Sequence, residues 1–566
     1  MNKDVHSRPM LVVGGTGLTL ACLITLWGFT RYFDVTDEGL ILHLLRFGPE
    51  SSFFTTYHLL FYPLGELFGH GLLLYRILHL ILILGVSCYA GYVVHGLGEG
   101  QSQCSRSAMI VFCAFAAVSL SFPCYKTLWY SAVTFLGATA WCSGLIAARG
   151  GEVAGRIGAA IAGAGAFLAY TGRMPNGILM AGFGGCVLLV LLRRSGRVLL
   201  LNLVIYVAVS GVLFGLWTWI HAAQYRDLVE ILRVAQETCY KSPLEALGSV
   251  SSWGRMVVLA AAYFVLAGVV TRKRPHLASL LCVVLIVCST ALVIRSTANL
   301  GRAGCACALV VLLNELRRWR AGARHARPEL GIFLLFPAGI VLALLGSGNK
   351  IFTMYGWAGI LLAPQLTWLL CKLPPGRRRI ASIAAAVCLL TLSFRFCIHK
   401  SYRSGSWGDN TVACAAPLLR GVTVRQDLAN TIQQLRDSLG PAGFDKQHDR
   451  LLAYPDLPGL IAAAEVRSYG CAWVFSGYDC IDSINLSFFE RTPMAEDSRL
   501  WLLLAGPLSD ELQAYVDAKF TAGEAHKEIA IGTYWQFREK LEYNVRLLGP
   551  YLPKTHASLL PQAPAD

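Results

Sequence analysis

Charge is what this chain has least of. Only 15% of its 566 residues are Asp, Glu, Lys or Arg, and 55% are hydrophobic. A soluble globular chain is about one quarter charged. A single large aqueous core is thereby excluded, and with a mean hydropathy of +0.52 the bilayer sets the layout. Acids are scarcer than bases, 34 against 49, leaving a net charge of +15. The Arg and Lys stand in short clusters between apolar runs, as in loops facing anionic lipid. No basic helix with interleaved aromatics follows, which argues against nucleic acid as a partner. The sequence also lacks a P-loop, a GxSxG elbow and an HExxH pair, so ATP-driven transport and serine hydrolysis lose their simplest support. It has no CxxC with a matching second pair, so its 18 cysteines spell no zinc site. Most, including Cys22, Cys88, Cys113, Cys142, Cys186, Cys282, Cys288 and Cys388, lie in apolar runs as small hydrophobes. Cys305 and Cys307 do not share a helix face. Cys471 and Cys480 are disulfide candidates if the C-terminal region is extracytoplasmic.

What is present in quantity is apolar sequence in lengths that span a bilayer. Against a ruler of about 20 residues, about thirteen candidates appear, at 10–31, 72–96, 107–123, 128–147, 157–170, 177–192, 198–221, 256–270, 276–294, 303–316, 330–345, 352–370 and 380–396. The first follows a short basic N-terminus but lacks a small-x-small cleavage site, and reads as a retained helix. With the N-terminus inside, alternate loops carry the bases: Arg106; Arg149 and Arg156; Arg193, Arg194 and Arg197; Arg272 to Arg274; Arg317 to Arg327; Lys372 to Arg379. That alternation is the positive-inside pattern. An odd number of spans puts the C-terminal region outside.

The expected fold is therefore a polytopic α-helical membrane protein with a small C-terminal extracytoplasmic α/β domain. The transmembrane domain runs over 1–400, with a long first external loop at 32–71. In that loop Pro49-Glu50-Ser51-Ser52 reads as a helix start, and Phe53, Phe54, Tyr57, Leu60 and Phe61 follow at helical spacing. A helix lying in the membrane interface and a loop packed on the bundle both fit. Polar residues become common beyond Ser401, and 401–550 reads as the α/β domain. Helices are expected at Arg425–Leu439 and Asp510–Phe520, and strands at Arg450–Tyr454, Trp501–Ala505 and Glu528–Phe537. The tail at 551–566 reads as disordered.

Chemistry concentrates in Asp34-Val35-Thr36-Asp37-Glu38-Gly39, just after the first span. A carboxylate near the bilayer boundary is partly desolvated, which raises its basicity. Such a group can take a proton from an attacking hydroxyl, and three together could hold a divalent metal. The plainer alternative is a polar helix end capped by Asp34 or Asp37. Four cations fall at expected external helix ends: Arg173, Arg295, Arg302 and Lys350. The positive-inside rule disfavours them there, and charges near membrane depth usually face a cavity or a partner. They can bind phosphate or snorkel to headgroups. Tyr57 and His58 in the aromatic segment are the acceptor-binding candidates. His43, His58, His70 and His79 form no metal-ligand pattern, and Glu66 is a weak addition to the site.

These features together resemble the GT-C class of integral-membrane glycosyltransferases, which includes protein O-mannosyltransferases and the bacterial aminoarabinose transferase of lipid A. Asp37-Glu38 after the first helix resembles that class's Asp-Glu pair. Tyr62-Pro63-Leu64-Gly65, Leu74-Tyr75-Arg76, Arg173-Met174-Pro175-Asn176 and Leu452-Ala453-Tyr454-Pro455-Asp456-Leu457-Pro458 resemble further segments of it. The resemblance implies a polyprenyl-phosphate-linked sugar donor and an extracytoplasmic acceptor, whether glycolipid, polysaccharide or protein. It also implies inversion at the sugar carbon, Asp37 as base and Glu38 beside it. Asp34 would help as an acceptor-positioning or capping residue, while Arg173, Arg295, Arg302 and Lys350 would hold the donor phosphate. The acidic run is Asp-x-x-Asp-Glu rather than Asp-x-Asp, so no cofactor is expected and a divalent metal is not favoured. A bacterial inner membrane, with the site on its periplasmic face, is the expected setting. The rival expectation is a transporter or lipid-linked glycan flippase using the same acids as ion sites; no inverted repeat supports it.

Overall fold

The computed structural model describes residues 3–50, 53–97, 104–121, 127–150, 152–195, 197–239, 329–344, 359–399, 406–474, 481–492, 494–495, 497–536 and 541–554. The expected spans at 256–270, 276–294 and 303–316 lie outside these residues, as do Arg295, Arg302, Lys350 and Cys480. Two compact units are present.

The first unit comprises 1–27, 77–220 and 241–397. Its described helices are α1 (Lys3–Phe29), α4 (Leu72–Leu97), α5 (Arg106–Ser121), α6 (Tyr130–Ala147), α7 (Glu152–Gly172), α8 (Met174–Ser195), α9 (Arg197–Ile220), α11 (Glu329–Leu344), α12 (Gly359–Cys371) and α13 (Pro375–His399), with α1, α4 and α13 crossing its boundaries. Among the described residues five segments are long and apolar enough to cross a membrane: Arg8–Phe29, Leu72–Leu97, Tyr130–Ala147, Glu152–Gly172 and Val198–Ile220. Val204, Val207, Val212 and Trp219 on α9 are exposed, as hydrocarbon-facing side chains must be. Between α6 and α7 the backbones approach closely along small residues. A Cβ on Gly144 would stand 2.5 Å from the Gly158 carbonyl oxygen, and one on Gly165 2.5 Å from the Trp141 nitrogen. Small residues at this spacing let apolar helices pack by van der Waals contact where water supplies no driving force.

The second unit comprises 28–76, 221–240 and 398–566. It joins the first loop to the C-terminal region. The loop forms α2 (Asp37–Phe47), a short 3-10 turn at Gly48–Glu50 and α3 (Tyr57–Phe68). The helix expected from Pro49 thus begins only at Tyr57. The run Phe53-Phe54-Thr55-Thr56 ahead of it is aromatic and β-branched, types that lose side-chain freedom in a helix. The amphipathic α10 (Ala222–Cys239) also belongs to this unit. The C-terminal part builds α14 (Gln426–Ala442), α15 (Pro458–Ala464), α16 (Ile481–Glu490) and α17 (Asp510–Lys519) around a sheet of β3 (Arg450–Tyr454), β4 (Leu500–Leu504), β5 (Phe520–Gln536) and β6 (Leu541–Pro553). A small ladder, β1 (Val412–Ala413) with β2 (Thr423–Val424), precedes it. Strand order is β3-β4-β6-β5. β3 and β4 run parallel, whereas β6 is antiparallel to both neighbours. The expected helices and strands appear within a few residues of their bounds, apart from a β5 that starts eight residues before Glu528. β6 was not expected, and it carries ordered chain to Pro553, past the expected start of the tail. Leu452, Leu500, Leu502, Leu512, Val516 and Phe520 form the core between sheet and helices. The all-buried Leu-Trp-Leu-Leu-Leu of β4 is what a central strand covered on both faces requires.

Backbone hydrogen bonds tie loop to domain. Tyr32 N–H donates to the Thr423 carbonyl at 2.8 Å, Thr423 N–H returns to Thr30 at 2.8 Å, and Gly459 N–H donates to Val35 at 2.6 Å.

Candidate active site at the head of the second helix

All three carboxylates of the acidic run are buried in the second unit. Asp34 turns its side chain onto the chain that follows. Its Oδ1 accepts from the Thr36 N–H at 3.1 Å and hydroxyl at 2.8 Å, and its Oδ2 from the Asp37 N–H at 3.1 Å. Asp34 stands two positions before Thr36, the N-cap of α2, and accepts from backbone donors that α2 itself cannot satisfy.

Glu38 lies one position beyond Asp37 and faces Arg76, near the start of α4. Arg76 Nε donates to Oε1 at 2.9 Å and Nη2 to Oε2 at 2.6 Å, a two-pronged guanidinium–carboxylate pair. Nη2 also donates to the Tyr32 carbonyl at 3.0 Å and Nη1 to the Phe29 carbonyl. The guanidinium carbon lies 5.0 Å from the centre of the Tyr32 ring. Arg76 is wholly buried. A buried charge of this kind is tolerable only when paired and hydrogen-bonded, and here every arm of the fork has an acceptor. In the sequence Arg76 stands out only within Leu74-Tyr75-Arg76. The rule that singled out Arg173, a cation near membrane depth in want of a partner, applies equally to it and would have found it.

Asp37 heads α2 between these two anchored acids and is 6% exposed. The helix dipole favours a negative charge at this end. Asp37 is held in place from behind. Gly39 lies against α15 with so little room that a Cβ on it would fall 2.3 Å from the Gly459 Cα, and a Cβ on Gly459 would fall 2.6 Å from the Val35 Cα. The acidic run and the segment ending at Pro458 are thus in backbone contact, some 420 positions apart in sequence. Only glycine on both sides permits that approach.

Tyr57 and His58 are buried at the head of α3. The His58 ring influences His43 of α2, which is buried. Burial holds the His43 imidazole down at about 3, opposed by the backbone of Val466 and aided by His58. Glu66 bonds to His70 at 2.8 Å, and His70 in turn to the Tyr75 hydroxyl at 3.0 Å, in the turn that leads to Arg76.

Arg173 belongs to the first unit, in the one-residue break between α7 and α8. Its Nη2 donates to the Ser131 hydroxyl at 2.9 Å, and its guanidinium lies 5.0 Å from the centre of the Tyr130 ring. Its Nη1 is buried without a hydrogen-bond partner among the described residues. Cys471 is buried and not in a disulfide with any described residue.

No family model matches the chain, and no curated protein does. Among solved structures the chain is similar to ArnT from Cupriavidus metallidurans bound to undecaprenyl phosphate, at 12% identity and a TM-score of 0.42, and to the same protein in the apo state, at 11% and 0.39; each match covers 94% of this chain and 97% of that one.

Proposed function

We propose that this chain is a membrane glycosyltransferase. It moves a sugar from a polyprenyl-phosphate carrier to an extracytoplasmic acceptor with inversion, through Asp37 as general base. The observation that carries the reading is the division of labour in the acidic run: Asp34 is hydrogen-bonded to the chain that leads into the helix, Glu38 is paired with Arg76, and Asp37 stands between them at the helix N-terminus. A base must be fixed in position before its pKa matters, and this arrangement fixes one carboxylate with the other two. In this reading Asp37 takes the proton from the acceptor hydroxyl as that oxygen bonds to the anomeric carbon. The carbon–oxygen bond to the phosphate breaks, and the phosphate leaves with the electron pair. Cations stabilise the leaving phosphate. Arg173, with a donor to spare, is the described candidate, joined by Arg295, Arg302 and Lys350. Tyr57 and His58 would serve the acceptor. About thirteen spans, with the N-terminus inside and the C-terminal domain outside, fit the loop charges and place the site on the periplasmic face of a bacterial inner membrane.

The test uses purified protein, a radiolabelled polyprenyl-phosphate sugar and a membrane glycolipid extract. Asp37→Asn is expected to lower transfer by at least about a hundredfold, the lower end of what a positioned base contributes. Normal transfer by Asp37→Asn would exclude the proposed base. Uptake into sealed vesicles without transfer would replace the enzyme with a carrier.

A further inference from the structure

Three sulfur atoms meet inside the first unit. Met10 lies near the head of α1, Cys104 two positions before α5, and Cys371 is the last residue of α12. All three are buried. The Cys104 and Cys371 Sγ atoms each lie 3.8 Å from the Met10 Sδ, and the two thiols interact directly without a disulfide. Beside them sits Arg378, buried, with Nη2 donating to the carbonyls of Cys371 at 3.3 Å and Leu373 at 2.8 Å. Nothing in the proposed transfer reaction uses this cluster.

We propose that Met10, Cys104 and Cys371 form a binding site for a soft monovalent metal ion, Cu(I), which staples together the ends of three helices. The spacing suits a three-coordinate ion. Sulfurs held trigonally at about 2.3 Å, the metal–thiolate distance of zinc sites, stand about 4 Å from one another. The donor set decides the metal. Among the described residues no three His, Cys, Asp or Glu side chains gather to hold an ion, and the third donor here is a neutral thioether. Structural zinc takes four N, S or O ligands, whereas thiolate with thioether favours Cu(I). Charge also balances: two thiolates and one Cu(I) leave a single negative charge, which the Arg378 guanidinium offsets. Binding releases the two thiol protons and changes no oxidation state. Arg8, Arg106 and Lys372 lie within two positions of the three donors. This is the basic side that the loop charges assign to the cytoplasm, where thiols stay reduced.

The experiment titrates the purified full-length protein in detergent with Cu(I) against a chromophoric Cu(I) chelator, under reducing conditions, and records copper X-ray absorption. The expected result is one tightly held Cu(I) per chain with three sulfur neighbours. Cys104→Ser and Cys371→Ser should each lose that equivalent. Met10→Leu should keep two sulfurs and weaken binding by at least about tenfold, the lower end of what even an outer-shell change costs. Cys186→Ser, on the exposed face of α8, should leave it unchanged. Zn(II) in the same titration should not be retained. A parent protein that holds no Cu(I), or a bound ion with fewer than three sulfurs, would overturn the site and leave only a packed sulfur cluster. So would copper retained equally by both Cys→Ser variants. The parent measurement stands even where a variant fails to fold.

Discussion

Removing the guanidinium of Arg76 is the sharpest perturbation available at the acidic run. Arg76→Met keeps most of the apolar stem but strands the Glu38 carboxylate, which is only 4% exposed, and releases the carbonyls of Phe29 and Tyr32. Breaking a buried ion pair from one side costs about 3–5 kcal/mol, because the partner charge stays buried and uncompensated. At roughly 2–4 °C per kcal/mol for a folding unit of this size, the midpoint of thermal unfolding should fall by roughly 6–20 °C. Arg76→Lys keeps the charge but not the fork that meets both carboxylate oxygens, and should fall between the parent and Arg76→Met. Glu38→Gln should also destabilise, but less, since the two backbone carbonyls still hold the guanidinium. The informative protein is the double variant Arg76→Met/Glu38→Gln. With no charge left to strand, it should be more stable than the sum of the single changes implies, by about 0.5–3 kcal/mol. The assay is thermal unfolding of the detergent-solubilised protein, with chemical denaturation to obtain the coupling energy. An Arg76→Met protein within about 1 kcal/mol of the parent, or a double variant that is strictly additive, would refute the ion pair as the anchor of α2.

Gly39→Ala and Gly459→Ala each put a methyl group where backbone already lies. Each should cost about 1–3 kcal/mol or more, as overpacking does, and should lower transfer activity by moving Asp37; a melt and a kcat measurement on each check this. His43 makes stability fall in acid. Folded His43 resists protonation down to about 3, while the unfolded imidazole takes its proton near 6.5. Stability from this group is complete above about pH 6.5 and drains as the pH falls toward 3, with about 1.4 kcal/mol gone by pH 5.5. His43→Phe should flatten that part of the pH–stability curve, and an unchanged curve would show that His43 does not titrate this way. Gly65→Ala would bring a Cβ within 2.2 Å of both the His70 ring and the Tyr75 hydroxyl. It should break the Glu66–His70–Tyr75 chain and destabilise the turn ahead of Arg76, read as a lower unfolding midpoint.

Composition and hydropathy alone were enough to give a membrane-embedded helical chain with a small helix-and-strand region after Ser401. Both follow from local quantities: the length of an apolar run against the bilayer, and the alternation that marks a strand. The acidic run was legible too, because three carboxylates beside a long apolar helix stand out in a sequence so poor in charge. Which acid does what was not legible. The roles of Asp34 and Glu38 depend on hydrogen-bond partners, and the Glu38 partner, Arg76, stands 38 positions away on another helix. The contact of Gly39 with Gly459 leaves no mark in either local pattern, since each glycine alone is only a small residue. The head of α2 was legible only as an alternative, a polar helix end capped by Asp34 or Asp37, whereas the helix expected from Pro49 begins at Tyr57. Met10, Cys104 and Cys371 make the same point most plainly. No spacing rule could join three sulfurs from three distant segments, and only the packing of the helix ends brings them within reach of one ion.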